Sequence, residues 1–127
     1  MEQDKSNEKV LQVIVKAEEL ADYTLEITSN CNNFPKKYRF TLVDKMVTKS
    51  FNIYECLFEA NRTRIANKVQ RYDLQTKAIT YCEELQFYIK LALKRNIITP
   101  KRADYWSGLV SDVKYMTLAW RKRDKER

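Results

Sequence analysis

The stretch Thr99-Pro100-Lys101-Arg102-Ala103-Asp104-Tyr105-Trp106-Ser107-Gly108-Leu109-Val110-Ser111-Asp112-Val113-Lys114-Tyr115-Met116-Thr117-Leu118-Ala119-Trp120 decides the fold class. Thr99 is a good N-cap residue, because its hydroxyl can accept from a free N–H of the first turn. Pro100 follows at the one helical position where a fixed φ helps and a missing N–H costs nothing. Trp106, Leu109, Val113, Met116 and Trp120 then alternate steps of three and four, which is one face of an α-helix. Gly108, the chain's single glycine, falls inside this stripe, where it points to a close helix contact. A helix over about 100–122 is therefore expected.

Working outward from this segment, Asn96–Thr99 is a break. A preceding helix of about 64–95 carries Ile65, Val69, Tyr72, Ile79, Cys82, Leu85, Ile89 and Ala92, widened by Tyr81, Tyr88 and Leu93. Before it, Pro35 opens a helix of about 35–61. Its stripe is Phe40, Val43, Val47, Ser50, Tyr54 and Leu57, widened by Met46, Ile53 and Ala60. The first helix covers about 8–29, with Val10, Ile14, Ala17, Ala21, Leu25 and Thr28 joined by Val13, Leu20 and Ile27. It stops at Asn30-Cys31-Asn32-Asn33, since Asn tolerates left-handed geometry. Short loops force antiparallel neighbours, so the expected fold is all-α, an antiparallel up-down-up-down four-helix bundle over 9–122. Residues 1–8 are expected to be a flexible acidic N-terminus, and 123–127 a basic tail that frays.

The composition agrees. With 127 residues, one Gly and two Pro, the chain suits one domain and has too few turn residues for an all-β fold. Hydrophobic residues make up 44% and charged ones 32%, a folded profile. No apolar run approaches the roughly 18 residues of a membrane span, and the polar start is not a signal peptide, so the expected compartment is the cytoplasm. Cys31, Cys56 and Cys82 match no metal pattern, and their odd number argues against disulfides.

Chemistry is conspicuously missing. There is no histidine, which removes the usual general base and the commonest metal ligand. One glycine cannot build a phosphate-cradling loop. Glu18-Glu19 and Glu83-Glu84 are adjacent pairs whose side chains leave a helix about 100° apart, so neither shares a site. The sequence thus points to no catalytic residue, no cofactor and no metal centre, and to a protein that is not an enzyme.

Charge is what remains. Residues 1–33 hold three lysines and seven acids, a net −4, while residues 34–127 hold 21 Lys and Arg against ten acids, a net +11. Such segregation points to a polyanionic partner, or to contact between acidic and basic faces of subunits. The topology sorts the cations into two ends. Lys36, Lys37, Arg39, Lys94, Arg95, Lys101 and Arg102 gather at one, and are the candidate nucleic-acid contacts. Arg62, Arg64, Lys68, Arg71, Arg121, Lys122 and Arg123 gather at the other as a second basic pole. Lys36, Lys37, Lys101 and Arg102 fall in expected first turns, against the helix dipole, at a cost of a few tenths to about 1 kcal/mol each. A bound phosphate backbone would offset that cost. Phe34, Tyr38, Tyr72 and Tyr105 interleave with the charges, as base-stacking groups or as core anchors. A solubilising surface would also account for the two poles.

One segment resembles a known family. Phe34-Pro35-Lys36-Lys37-Tyr38-Arg39-Phe40-Thr41-Leu42-Val43-Asp44-Lys45-Met46 is similar to the opening of the second helix of Avd, the accessory variability determinant of diversity-generating retroelements. Tyr23-Thr24-Leu25-Glu26-Ile27-Thr28 and Ala60-Asn61-Arg62 look similar too. The layout, over about 10–122, also resembles the four-helix proteins encoded in intervening sequences of ribosomal RNA genes. The Avd resemblance implies a basic four-helix bundle assembled as a ring-like homopentamer. It implies partnership with the element's reverse transcriptase and with RNA or DNA, in mutagenic retrohoming that copies template RNA to cDNA. It supplies no contact residues by motif. An rRNA-associated bundle or a protein-interaction scaffold remains the alternative. An acidic first helix facing the basic helices of a neighbouring subunit would suit a ring.

Overall fold

A computed structural model describes residues 2–30 and 32–127, with side chains from Asn7 onward except that of Cys31. Any part played by Cys31 lies outside the described residues. Helix α1 runs Glu2–Ser29 and helix α2 Asp44–Arg62, the latter preceded by a 3-10 turn, Lys36–Tyr38, and a π-helical stretch, Arg39–Val43. Helices α3 and α4 run Lys68–Lys94 and Pro100–Glu126. Each helix packs on its chain neighbours, and α4 closes the bundle against α1. This is the antiparallel four-helix bundle that the periodicity and short loops predict.

The helix ends differ from the sequence reading. Helix α1 extends back to Glu2, through the segment expected to be flexible. Helix α2 does not begin at Pro35: the chain first passes through i→i+3 and then i→i+5 bonding, and regular geometry starts at Asp44. Helix α3 begins at Lys68, because the backbone through Thr63 and Asn67 forms turns instead. Helix α4 runs on through the tail expected to fray, to Glu126. Its last turns are tied to α3 by Asp124, which accepts from Arg71 and Gln75.

The cap read from sequence at the start of α4 is in place. The Thr99 Oγ1 accepts from the Arg102 N–H at 3.2 Å. At the end of α3, Asn96 adopts φ 60°, the Asn96 N–H donates to Leu93 O, and the Ile97 N–H donates to Ala92 O. This is a Schellman stop with Asn in the left-handed position.

The core confirms some stripes and corrects others. In α4, Trp106, Leu109, Val113 and Trp120 are buried as expected. In α2 the buried line is Met46, Ser50, Ile53, Leu57 and Ala60, while Phe40 is 76% exposed. All five belong to the expected set, Ser50 and Leu57 in its series and Met46, Ile53 and Ala60 beside it. Val47 and Tyr54 are half-buried at the edge of that face, and the π-helical stretch breaks the register between Phe40 and α2. Ile65, in the turn before α3, and Val69 and Tyr72 within it are exposed, and Arg71, Gln75 and Ala78 are buried in their place. In α1, Leu25 is exposed and Thr24 is buried. Thr24 earns no penalty there: its hydroxyl donates to Leu20 O and accepts from the Trp106 indole N–H at 3.0 Å. Gly108 marks no close contact, since a Cβ built there meets nothing within 4 Å.

Candidate nucleic-acid interface

The two basic ends are built differently. At the first, Asn33 and Arg102 join the α1–α2 loop to the first turn of α4: the Arg102 Nη1 donates to Asn33 Oδ1 at 2.6 Å. Arg102 also faces the Tyr23 phenol, whose pKa is raised by burial and then partly lowered by that guanidinium. Tyr23 in turn meets Tyr105 edge-on, with ring centroids 4.9 Å apart. Lys36, Lys37 and Arg39 follow Asn33 directly in the chain, and Lys94 and Arg95 end α3 just before the turn into α4. All seven candidate cations at this end are exposed. Among the described residues, none of the seven forms an ion pair with a carboxylate. The Lys37 ammonium rests over its neighbour's ring, 5.2 Å from the Tyr38 centroid.

The unfavourable helix dipole acts on two of the four cations expected in first turns. Lys101 and Arg102 do stand in the first turn of a 27-residue helix with no acid in that turn. Lys36 and Lys37 lie instead in a three-residue 3-10 turn that leads through the π-helical stretch into α2, so they are not in the first turn of a regular helix. The first turn of α2 carries Asp44, as a stable helix would prefer.

The second basic end is largely occupied with holding the fold. Arg71 is buried, not surface charge: its side chain is 7% exposed and pairs with Asp124 at 2.8 Å. Its Nη1 also donates to the carbonyls of Ala60 and Thr63, closing the end of α2. The Lys68 Nζ donates to the Arg127 backbone oxygen at 2.8 Å. The Arg121 Nη1 donates to Thr76 Oγ1, with its guanidinium 4.8 Å from the Tyr72 centroid. Arg62 lies over Phe58, and Arg123 is partly buried. Arg64 and Lys122 are exposed like the cations of the first end, and so is Arg62, which lies over a ring as Lys37 does.

The aromatics divide as well. Phe34 is core and packs edge-on against Trp106. Tyr38 is half-buried, while Tyr72 and Tyr105 are exposed. Among the described residues, no group of three or more Cys, Asp or Glu could hold a metal ion, and no helix is long and apolar enough to cross a membrane.

No family model matches the chain, and no curated protein matches it. A solved structure does: a protein of unknown function from the S23 ribosomal protein family of Bacteroides thetaiotaomicron. The two superpose with a TM-score of 0.80 over 90% of this chain and 98% of that one, at 13% sequence identity. At that identity the likeness is one of fold: this chain shares the four-helix architecture of that protein.

Proposed function

We propose that this chain is a non-catalytic nucleic-acid-binding scaffold whose contact surface is the end of the bundle carrying Lys36, Lys37, Arg39, Lys94, Arg95, Lys101 and Arg102. The observation that carries the reading is the contrast between the two ends. At that first end all seven cations are exposed and, among the described residues, none pairs with a carboxylate, while at the other end Arg71 is buried on Asp124 and Lys68 and Arg121 donate within the protein. Unpaired cations on loops and a helix start suit phosphates, which position a strand without reading its sequence.

The resemblance to the accessory variability determinants names the setting. The scaffold holds template RNA or cDNA beside the reverse transcriptase of a diversity-generating retroelement, and assembles as a homo-oligomer. The exposed acids Glu18, Glu19, Asp22 and Glu26 of α1 supply a face for the basic helices of a neighbouring copy. Reversing their charge is expected to shift sedimentation toward the monomer, and unchanged assembly would remove that contact. A second reading, a bundle that associates with ribosomal RNA, is favoured by the S23 family name of the structural neighbour. Co-purification with a reverse transcriptase encoded nearby supports the first setting, and co-sedimentation with ribosomal subunits the second.

The binding itself is tested by fluorescence anisotropy on unrelated RNA sequences. Replacing Lys36, Lys37, Arg39, Lys101 and Arg102 by Gln should weaken all of them by about tenfold or more. Replacing Arg64 and Lys122 should change little. Equal effects from both variants would defeat the proposal.

A further inference from the structure

We propose that the corner between the start of α3 and the end of α4 is a nucleotide site, in which an amino-bearing base fills a cavity and its phosphate meets the cations at the mouth. The cavity holds about 330 Å³, within the range of small-molecule sites. Its walls are Ile65, Val69 and Tyr72, which are 43%, 76% and 43% exposed. Three large apolar side chains left in water at one concave spot mark a surface that something covers.

The floor is polar and incomplete. Gln75 lines the floor and is wholly buried; its Nε2 donates to Asp124 at 2.9 Å, and its Oε1 has no partner and is closed off from water, so a ligand meets it through a small shift of the Gln75 side chain. Buried acceptors without a donor are rare in folded proteins. The Asp124 carboxylate is satisfied by Arg71 and Gln75, so the floor asks for a hydrogen-bond donor and not for a charge. The mouth is cationic: Lys68, Arg121 and Lys125 line it, and the paired Asp124 is the single acid there; Lys68 and Arg121 each make one hydrogen bond within the protein and keep their remaining N–H groups for a phosphate.

These demands together describe the ligand. A bare phosphate would leave the apolar walls wet. A fatty acid would leave Gln75 Oε1 unpaired. A flat base with an exocyclic amine supplies the donor, and its face extends the stack that Arg121 already makes on Tyr72. The phosphate then lies among the mouth cations. Such a group comes from a free nucleoside monophosphate or from the end of a strand. The site is separate from the basic end proposed above: α3 has 27 residues, so the two lie roughly 40 Å apart, and either proposal can fail alone.

The test is titration of the full chain with AMP, ribose 5-phosphate and inorganic phosphate by calorimetry. Trp120, whose ring lies 5.3 Å from the Arg71 guanidinium, gives a fluorescence readout. AMP is expected to bind at one site, about tenfold or more tighter than either base-free anion. Val69→Asp places a negative charge at the mouth in a first turn that favours acids, so it should fold normally and weaken AMP by about tenfold. Gln75→Met, which removes the lone acceptor, should erase the advantage of AMP over ribose 5-phosphate. An RNA decamer beginning with 5′-phosphoadenosine that displaces AMP assigns the site to strand ends, and one that does not assigns it to the free nucleotide. AMP that fails to bind, binds no tighter than ribose 5-phosphate, or is indifferent to Val69→Asp overturns the proposal.

Discussion

Arg71→Met tests whether the second basic end belongs to the fold. The substitution keeps an apolar stem of similar length and removes the guanidinium. In the native protein, Nε and Nη2 both donate to Asp124, at 2.8–3.1 Å, and Nη1 donates to Ala60 O at 3.1 Å and Thr63 O at 2.8 Å. Every guanidinium nitrogen is used. The substitution would take the bidentate partner from a carboxylate whose side chain is 12% exposed, leaving it Gln75 and, at 3.9 Å, Arg127, and would leave two carbonyls at the end of α2 without that donor. Breaking a buried pair from one side costs about 3–5 kcal/mol. For a chain of this size each kcal/mol moves Tm by about 3–5 °C, so a fall of roughly 9–25 °C is expected. Urea denaturation followed by helical circular dichroism gives the free energy directly. Arg71→Met combined with Asp124→Leu should recover much of the loss, since no charge is then stranded. A single-variant loss under about 1 kcal/mol with an unchanged m-value would refute the anchoring role, returning Arg71 to the surface charges.

Three further outcomes are expected. Gly108→Ala should stabilise by about 0.5–1 kcal/mol, because the site is open and the glycine serves no packing purpose; a destabilised variant would mean a contact at that position. Thr24→Val should cost about 1–3 kcal/mol by orphaning the buried Trp106 indole N–H, whereas Thr24→Ser should be milder; equal effects would show that the hydroxyl is idle. Burial pushes the Cys82 thiol up to about 12 from an ordinary 9.0. Because the folded value is the higher one, its contribution to stability is intact below pH 9 and lost as pH rises toward 12. Cys82→Ala should therefore show a flatter stability profile than the parent across that window, and parallel profiles would contradict the burial.

Local signals carried much of the fold. The Thr99-Pro100 start, the Trp106–Trp120 stripe and the Asn96 stop are all decided within one or two helical turns, and each is found in place. Phe40 departs from the expected face because i→i+5 bonding through Arg39–Val43 shifts its phase relative to α2 and leaves no periodic mark in the residues themselves. At the start of α3, three apolar side chains looked like core, and Arg71 like surface charge. The structure exchanges them because Asp124, 53 residues away, supplies the one partner that makes a buried arginine tolerable. An acid set among the cations of Arg121-Lys122-Arg123-Asp124-Lys125 was the available hint. The division of cations into two ends followed from topology alone; which end remains free depended on hydrogen bonds that no spacing rule contains.

The central claim, that the free basic end engages phosphates, is most directly measured by the salt dependence of binding to single-stranded RNA. Seven phosphate contacts predict a log–log slope of about −5, and neutralising Lys36, Lys37, Arg39, Lys101 and Arg102 should reduce it to about −1.4. A slope that stays the same in the variant would contradict the account.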